Sequence, residues 1–135
     1  MKVFAFAAGL ALVAGAALAD PVEGVWQTKK DDNGNFGFVQ IAPCGPAFCG
    51  TLIKAFNGEG KQIESPNVGK RIVWDMVAYP DGLYDDGQIY SPDRDKTYNG
   101  DMTLSGNSLK VRGCVLGICR DGGTWKRVRP KFKNW

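Results

Sequence analysis

The strongest constraint on this chain is a rhythm: short β-prone runs, each closed by a cluster of turn formers. The eight runs are Val22–Lys29, Phe36–Ala42, Gly50–Phe56, Arg71–Tyr79, Leu83–Tyr90, Lys96–Leu104, Ser108–Cys114 and Thr124–Arg129. Between them stand DDNGN, PCGPAFC, NGEG, PDG, SPDRD and SGN, all turn and loop chemistry. Gly and Asn accept the positive φ of tight hairpins, and Pro presets φ for a turn. Strands at this spacing predict a sandwich or a barrel. Beyond the first 19 residues no stretch sustains a 3.6-residue apolar period, so long helices are not expected. Asn57–Lys70, the longest connection, has room for a short helical turn.

Alternation within the runs agrees. Leu109 and Val111 face one way, and Lys110 and Arg112 the other. Tyr98, Gly100, Met102 and Leu104 share a face, with Asn99, Asp101 and Thr103 on the wet side opposite. Arg71–Tyr79 differs, because Ile72, Trp74 and Met76 alternate with Val73 and Val77. That strand is expected to be covered on both faces. Most connections are short, so sequential strands should be antiparallel neighbours in a meander. A closed meander removes the exposed edges that invite aggregation, whereas a Greek-key sandwich needs longer crossovers. The expected fold is all-β: a small antiparallel up-and-down barrel of about eight strands.

The first segment is read as an export leader and set aside. Lys2 supplies a positive start, Val3 to Leu18 is apolar or small, and Ala17-Leu18-Ala19 is an A-x-A cleavage site. Residues 1–19 would be removed, leaving Asp20 first; the run is short for a bilayer span. Residues 20–129 are then expected to form one barrel domain, followed by a basic and aromatic tail, 130–135. The expected location is periplasmic or secreted, and the protein is expected to be a monomer. An export context favours disulfides. Cys44, Cys49, Cys114 and Cys119 allow three pairings. The two local bridges, 44–49 and 114–119, are favoured because each pair brackets a Gly-containing turn that brings the Cα atoms into range. A metal is not expected: zinc sites favour about two to four residues between cysteines and often recruit His, which this chain lacks.

Without His, neither a Ser-His-Asp triad nor a Cys-His dyad can be built. Asp85, Asp86, Asp93 and Asp95 surround one hairpin, where carboxylates commonly bond nearby amides rather than perform acid–base work. They also lack the ligand spacing of a calcium loop. A net charge of +3 does not predict nucleic-acid binding. No enzymatic activity and no cofactor are expected. The aromatic residues Trp26, Trp74, Tyr84, Tyr90, Tyr98 and Trp125 recur on the strands, and inward aromatics either fill a small barrel or line a pocket for one apolar ligand. Given a pocket, Asn57–Lys70 would be its lid, with Gly58, Gly60 and Gly69 as hinges. Lys131, Phe132, Lys133 and Trp135 in the tail suit weak contact with anionic headgroups or envelope polymers.

Gly24-Val25-Trp26 near the start, with Trp125, Lys126 and Arg127 at the end, resembles the lipocalin (calycin) pattern. The resemblance implies a barrel end closed by Trp26 with the planar cation of Arg127 stacked over it. More specifically, YDDGQIYSPDRDKTYNGDMTL followed by SLKVRGCVLGICRDGGTWKRV resembles the bacterial envelope family called domain of unknown function 2147. The opening G-x-W, Cys49-Gly50, Gly87 to Pro92 and the Trp125–Arg127 ending all match, from about Val22 to Val128. This implies an exported lipocalin-like barrel and brings no established reaction. The second cysteine pair departs from the commoner family pattern, so the 114–119 bridge has less support from resemblance. The leading expectation is a lipocalin-like protein holding a small, partly apolar ligand inside the barrel, contacted by the six aromatics and Arg127. The rival is a non-enzymatic envelope interaction module with a filled barrel.

Overall fold

A computed structural model describes residues 19–129. The leader expected over 1–19, apart from Ala19, and the tail 130–135 lie outside the described residues. The strands are β1 (Gly24–Gln27), β2 (Phe36–Cys44), β3 (Ala47–Phe56), β4 (Gln62–Ile63), β5 (Arg71–Ala78), β6 (Leu83–Ser91), β7 (Lys96–Ser105), β8 (Ser108–Val115) and β9 (Ile118–Arg127). All pairings are antiparallel. Eight strands close a ring in the order β1-β2-β3-β5-β6-β7-β8-β9, while β4 adds two residues to the far half of β3. The closing seam is short: Trp26 pairs with Arg127 and Gln27 with Lys126. The meander and the closed barrel are as the turn spacing predicts.

Four local expectations change. PCGPAFC, expected as a loop, is mostly ladder, with Pro43↔Phe48 and Cys44↔Ala47 paired around a turn at Gly45. β9 begins at Ile118 rather than Thr124. Leu116 (φ 52°) and Gly117 (φ 80°) form a two-residue turn that carries the ladder back at once, through Val115↔Ile118 and Cys114↔Cys119. Asn57–Lys70 contains β4 and turns rather than a helical turn, and a 3-10 turn sits instead at Pro80–Gly82 with Pro at its start. In β5, Asp75 has φ 59° and breaks the alternation, so Val73 and Met76 are both fully buried while Val77 is left exposed. The outer face of β5 is therefore only partly covered.

The core lies inside the ring. Trp26, Val39, Ile41, Val73, Met76, Met102 and Leu109 are fully buried there, with Leu52, Ile72, Tyr84, Ile89, Val111 and Trp125 nearly so. Three glycines stand level on adjacent strands, Gly87 opposite Gly100 and Gly100 opposite Gly113. Their missing side chains make room for neighbours: a Cβ on Gly100 would lie 2.4 Å from Ile89 Cδ1, and one on Gly87 would lie 2.8 Å from Met76 Sδ. Large side chains thus interdigitate over small ones, as a well-packed interior requires.

Candidate functional site

One barrel end is closed by chain on both sides of the seam. The Arg127 guanidinium carbon lies 4.4 Å from the centroid of the Trp26 ring. Its NH1 donates to the Glu23 carbonyl at 3.0 Å, its NH2 to the Pro21 carbonyl at 2.6 Å, and its Nε to Asn107 Oδ1 at 3.1 Å. The Trp26 indole N–H donates to the Val22 carbonyl at 2.9 Å, which satisfies its buried polar atom. Gly24 has φ 138°, and a Cβ there would come within 3.0 Å of Arg127 NH1, so the first position of the G-x-W motif has to be glycine.

Asp20 completes this end. Its carboxylate accepts from the Tyr84 hydroxyl and from the Val22 amide, and its own amide donates to the Glu23 carboxylate at 3.0 Å. Burial, and then the bond to Asp20, hold the Tyr84 phenol well above its ordinary pKa of 10.0.

The aromatic residues singled out from sequence do not converge on one chamber. Trp26, Tyr84 and Trp125 are buried in the core. Trp74 sits opposite Gln88 on the outer face and is half-buried. Tyr90 packs partly against the core and donates its hydroxyl to Asp95 at 2.7 Å, which raises its phenol pKa. Tyr98 is half-buried, and a Cβ on Gly113 would meet it at 3.5 Å. Arg127 meets Trp26 as the resemblance implied. The expected lid is fastened along β3: Gly69 N donates to Leu52 O at 2.8 Å and Leu52 N to Lys70 O at 3.0 Å. Beside it is an open concavity of about 400 Å³ whose lining includes Ile53, Ala55, Ile63 and Val68.

A larger open groove, about 680 Å³, crosses the outer face of β5 to β9. Asp75, Asp85, Asp86, Asp101, Arg112 and the Cys114–Cys119 disulfide line it. Alternation assigns Asp101 to the correct face, yet it is only 5% exposed. Arg112 covers it with a two-pronged ion pair, Nε to Oδ1 at 2.8 Å and NH2 to Oδ2 at 2.6 Å. That bond raises the already high pKa of Arg112, so the charge is permanent. Asp86 accepts from the Tyr79 hydroxyl, and the bond raises the Tyr79 phenol. Asp101 Oδ and the sulfurs of Cys114 and Cys119 lie within 4.8 Å of one another, but the sulfurs are joined and offer no thiolate to a metal. Both local disulfides, Cys44–Cys49 and Cys114–Cys119, are formed.

At the end of the barrel away from Trp26, the β8–β9 hairpin carries three exposed aliphatic side chains. Val115 is 54% exposed, Leu116 97% and Ile118 65%. Sequence reading places a Gly-containing turn between Cys114 and Cys119 but does not reveal that the aliphatic side chains beside it face solvent.

The family described as "Uncharacterized protein conserved in bacteria" (DUF2147) matches residues 24–127. No curated protein matches the chain. Among solved structures, a lipocalin-family protein of Helicobacter pylori, HP1028, superposes with a TM-score of 0.64 at 18% identity, over 80% of this chain and 83% of that one. The likeness is one of fold.

Proposed function

From the premise that the chain belongs to the bacterial family of uncharacterised proteins DUF2147, we propose a non-enzymatic binding module of the cell envelope, its barrel a filled scaffold and its outer surface the working part. The observation that carries the reading is the interior: Met76, Met102 and Leu109 are wholly shielded from solvent there, with Ile89 and Trp125 nearly so. In this reading Trp26, Tyr84, Trp125 and Arg127 serve closure and packing. Trp74 and Tyr90, both half-buried, remain for contact with a partner, while Tyr98 shares the inward face of Gly100 and Met102. Two disulfides in a bacterial chain favour an oxidising compartment, in keeping with a leader that ends at Ala19.

The alternative is a small, partly apolar ligand held inside the barrel. It draws on the likeness to a lipocalin-family fold. The two readings separate by nuclear magnetic resonance of the Met76, Ile89 and Met102 methyl groups titrated with cyclohexane. A filled scaffold leaves those signals unmoved, and native mass spectrometry then finds the protein without cargo. Saturable shifts at these methyls, with a co-purifying apolar molecule, would return the function to a carrier.

A further inference from the structure

We propose that the β8–β9 hairpin tip is a lipid anchor that inserts Val115, Leu116 and Ile118 into the interfacial layer of a phospholipid bilayer. This rests on the outer-surface reading above and names its partner. The tip is anomalous on two counts. Leu116 is 97% exposed, and it occupies a left-handed position, φ 52°, in a two-residue turn. Asn, Asp or Gly normally fills such a position, at no steric and little solvation penalty. A leucine there is unfavourable for the isolated protein and becomes favourable once its side chain leaves water.

The tip is also held in advance. The Cys114–Cys119 bridge lies one rung behind Val115↔Ile118, so little chain freedom is left to lose on insertion. Its chemistry favours lipid over protein. Protein hot spots are built from Trp, Tyr and Arg, with Leu and Val under-represented, and a convex aliphatic tip requires a matching pocket in a protein partner. A lipid layer requires none.

Charge around the tip is balanced and does not oppose insertion. The β6–β7 connection lies at the same barrel end, because β7 starts at Lys96 and its partner β8 ends at Val115. Arg94, Lys96 and Arg120 are exposed there, and none joins a carboxylate in an ion pair among the described residues. Asp93 and Asp95 share the neighbouring connection, and Asp95 is engaged by the Tyr90 hydroxyl. With Asp121 beside Arg120, three cations stand against three carboxylates, so the aliphatic insertion carries the binding. Residues 130–135 follow β9 in the sequence, and their removal tests their contribution apart from that of the tip.

The test is co-sedimentation of the disulfide-bonded protein with vesicles of phosphatidylcholine, alone and with phosphatidylglycerol. The protein is expected to bind both, with little preference between them. Leu116→Asn suits the turn and keeps the fold, so thermal unfolding should be unchanged or raised while partitioning falls by at least about tenfold. Ile118→Thr, still β-branched, should weaken binding to a similar extent. Lys96→Gln with Arg120→Gln should weaken only the anionic-lipid binding, by a few-fold. The proposal is overturned if the wild-type protein ignores both vesicles, if the tip variants bind like wild type, or if removal of residues 130–135 alone abolishes binding. Should vesicles be ignored while the methyl titration still reports a filled interior, the surface-binding reading stands and only the lipid partner is lost.

Discussion

Arg127 stacks on Trp26 and in the same pose clasps the chain that precedes it, donating to the carbonyls of Pro21 and Glu23. One planar side chain from the last strand therefore ties down both the first strand and its approach. Arg127→Lys keeps the charge but loses the fork and the flat face, and the expected loss is about 2 kcal/mol. A urea titration followed by Trp26 fluorescence reads it. A midpoint unmoved by the substitution would mean that the clasp adds nothing to stability.

The Tyr84 phenol, raised above 10.0 by burial and by Asp20, sets an alkaline limb to stability. The folded state holds its proton more tightly than the unfolded one. The resulting stabilisation is complete below about pH 10 and is lost as pH climbs through the raised value. Tyr84→Phe should flatten that limb and lower stability near neutrality by about 1 kcal/mol. Unfolding midpoints measured from pH 7 to 11 check both the sign and the size.

Filling of the interior is tested by adding a single methyl group. On Gly100 a Cβ would meet Ile89 Cδ1 at 2.4 Å and the Arg112 carbonyl at 2.7 Å, whereas on Gly113 its nearest neighbour is Tyr98 at 3.5 Å. Gly100→Ala is expected to lower stability by about 1–3 kcal/mol. Gly113→Ala should do so by markedly less. Calorimetry that ranks the two equally would contradict the packing described.

The Cys114–Cys119 bridge closes a short loop, and removing it by the double change Cys114→Ser, Cys119→Ser should reduce stability by roughly 2 kcal/mol. The hairpin behind it should then exchange its amide protons faster than β2 and β3, which the other bridge still staples. Hydrogen exchange with mass detection distinguishes this from uniform loosening.

The barrel was largely legible because turn residues and period-2 alternation point the same way from Phe36 to Val111. Asp101 shows where alternation stops. It names the face, but only a neighbour's reach decides burial, and here Arg112 lies across it. The pair was within range of sequence reasoning: counting back along both strands from Gly106-Asn107, through Ser105↔Ser108, sets 101 opposite 112. The early start of β9 was hidden by Asp121-Gly122-Gly123, which reads as a loop and is accommodated as an irregularity in the ladder. From sequence Trp74 reads as one of the ligand-facing aromatics, because a strand apolar on both sides does not say which side is the interior. Asp75 settles that by breaking the alternation, and no composition rule announces a left-handed aspartate.

The short seam between β1 and β9 has a consequence for how the molecule comes into being. A ring joined through its first and last staves stays unfinished until nearly all of them have been laid down. Until Trp26 and Arg127 meet, β1 and β9 keep unpaired edges open to other chains.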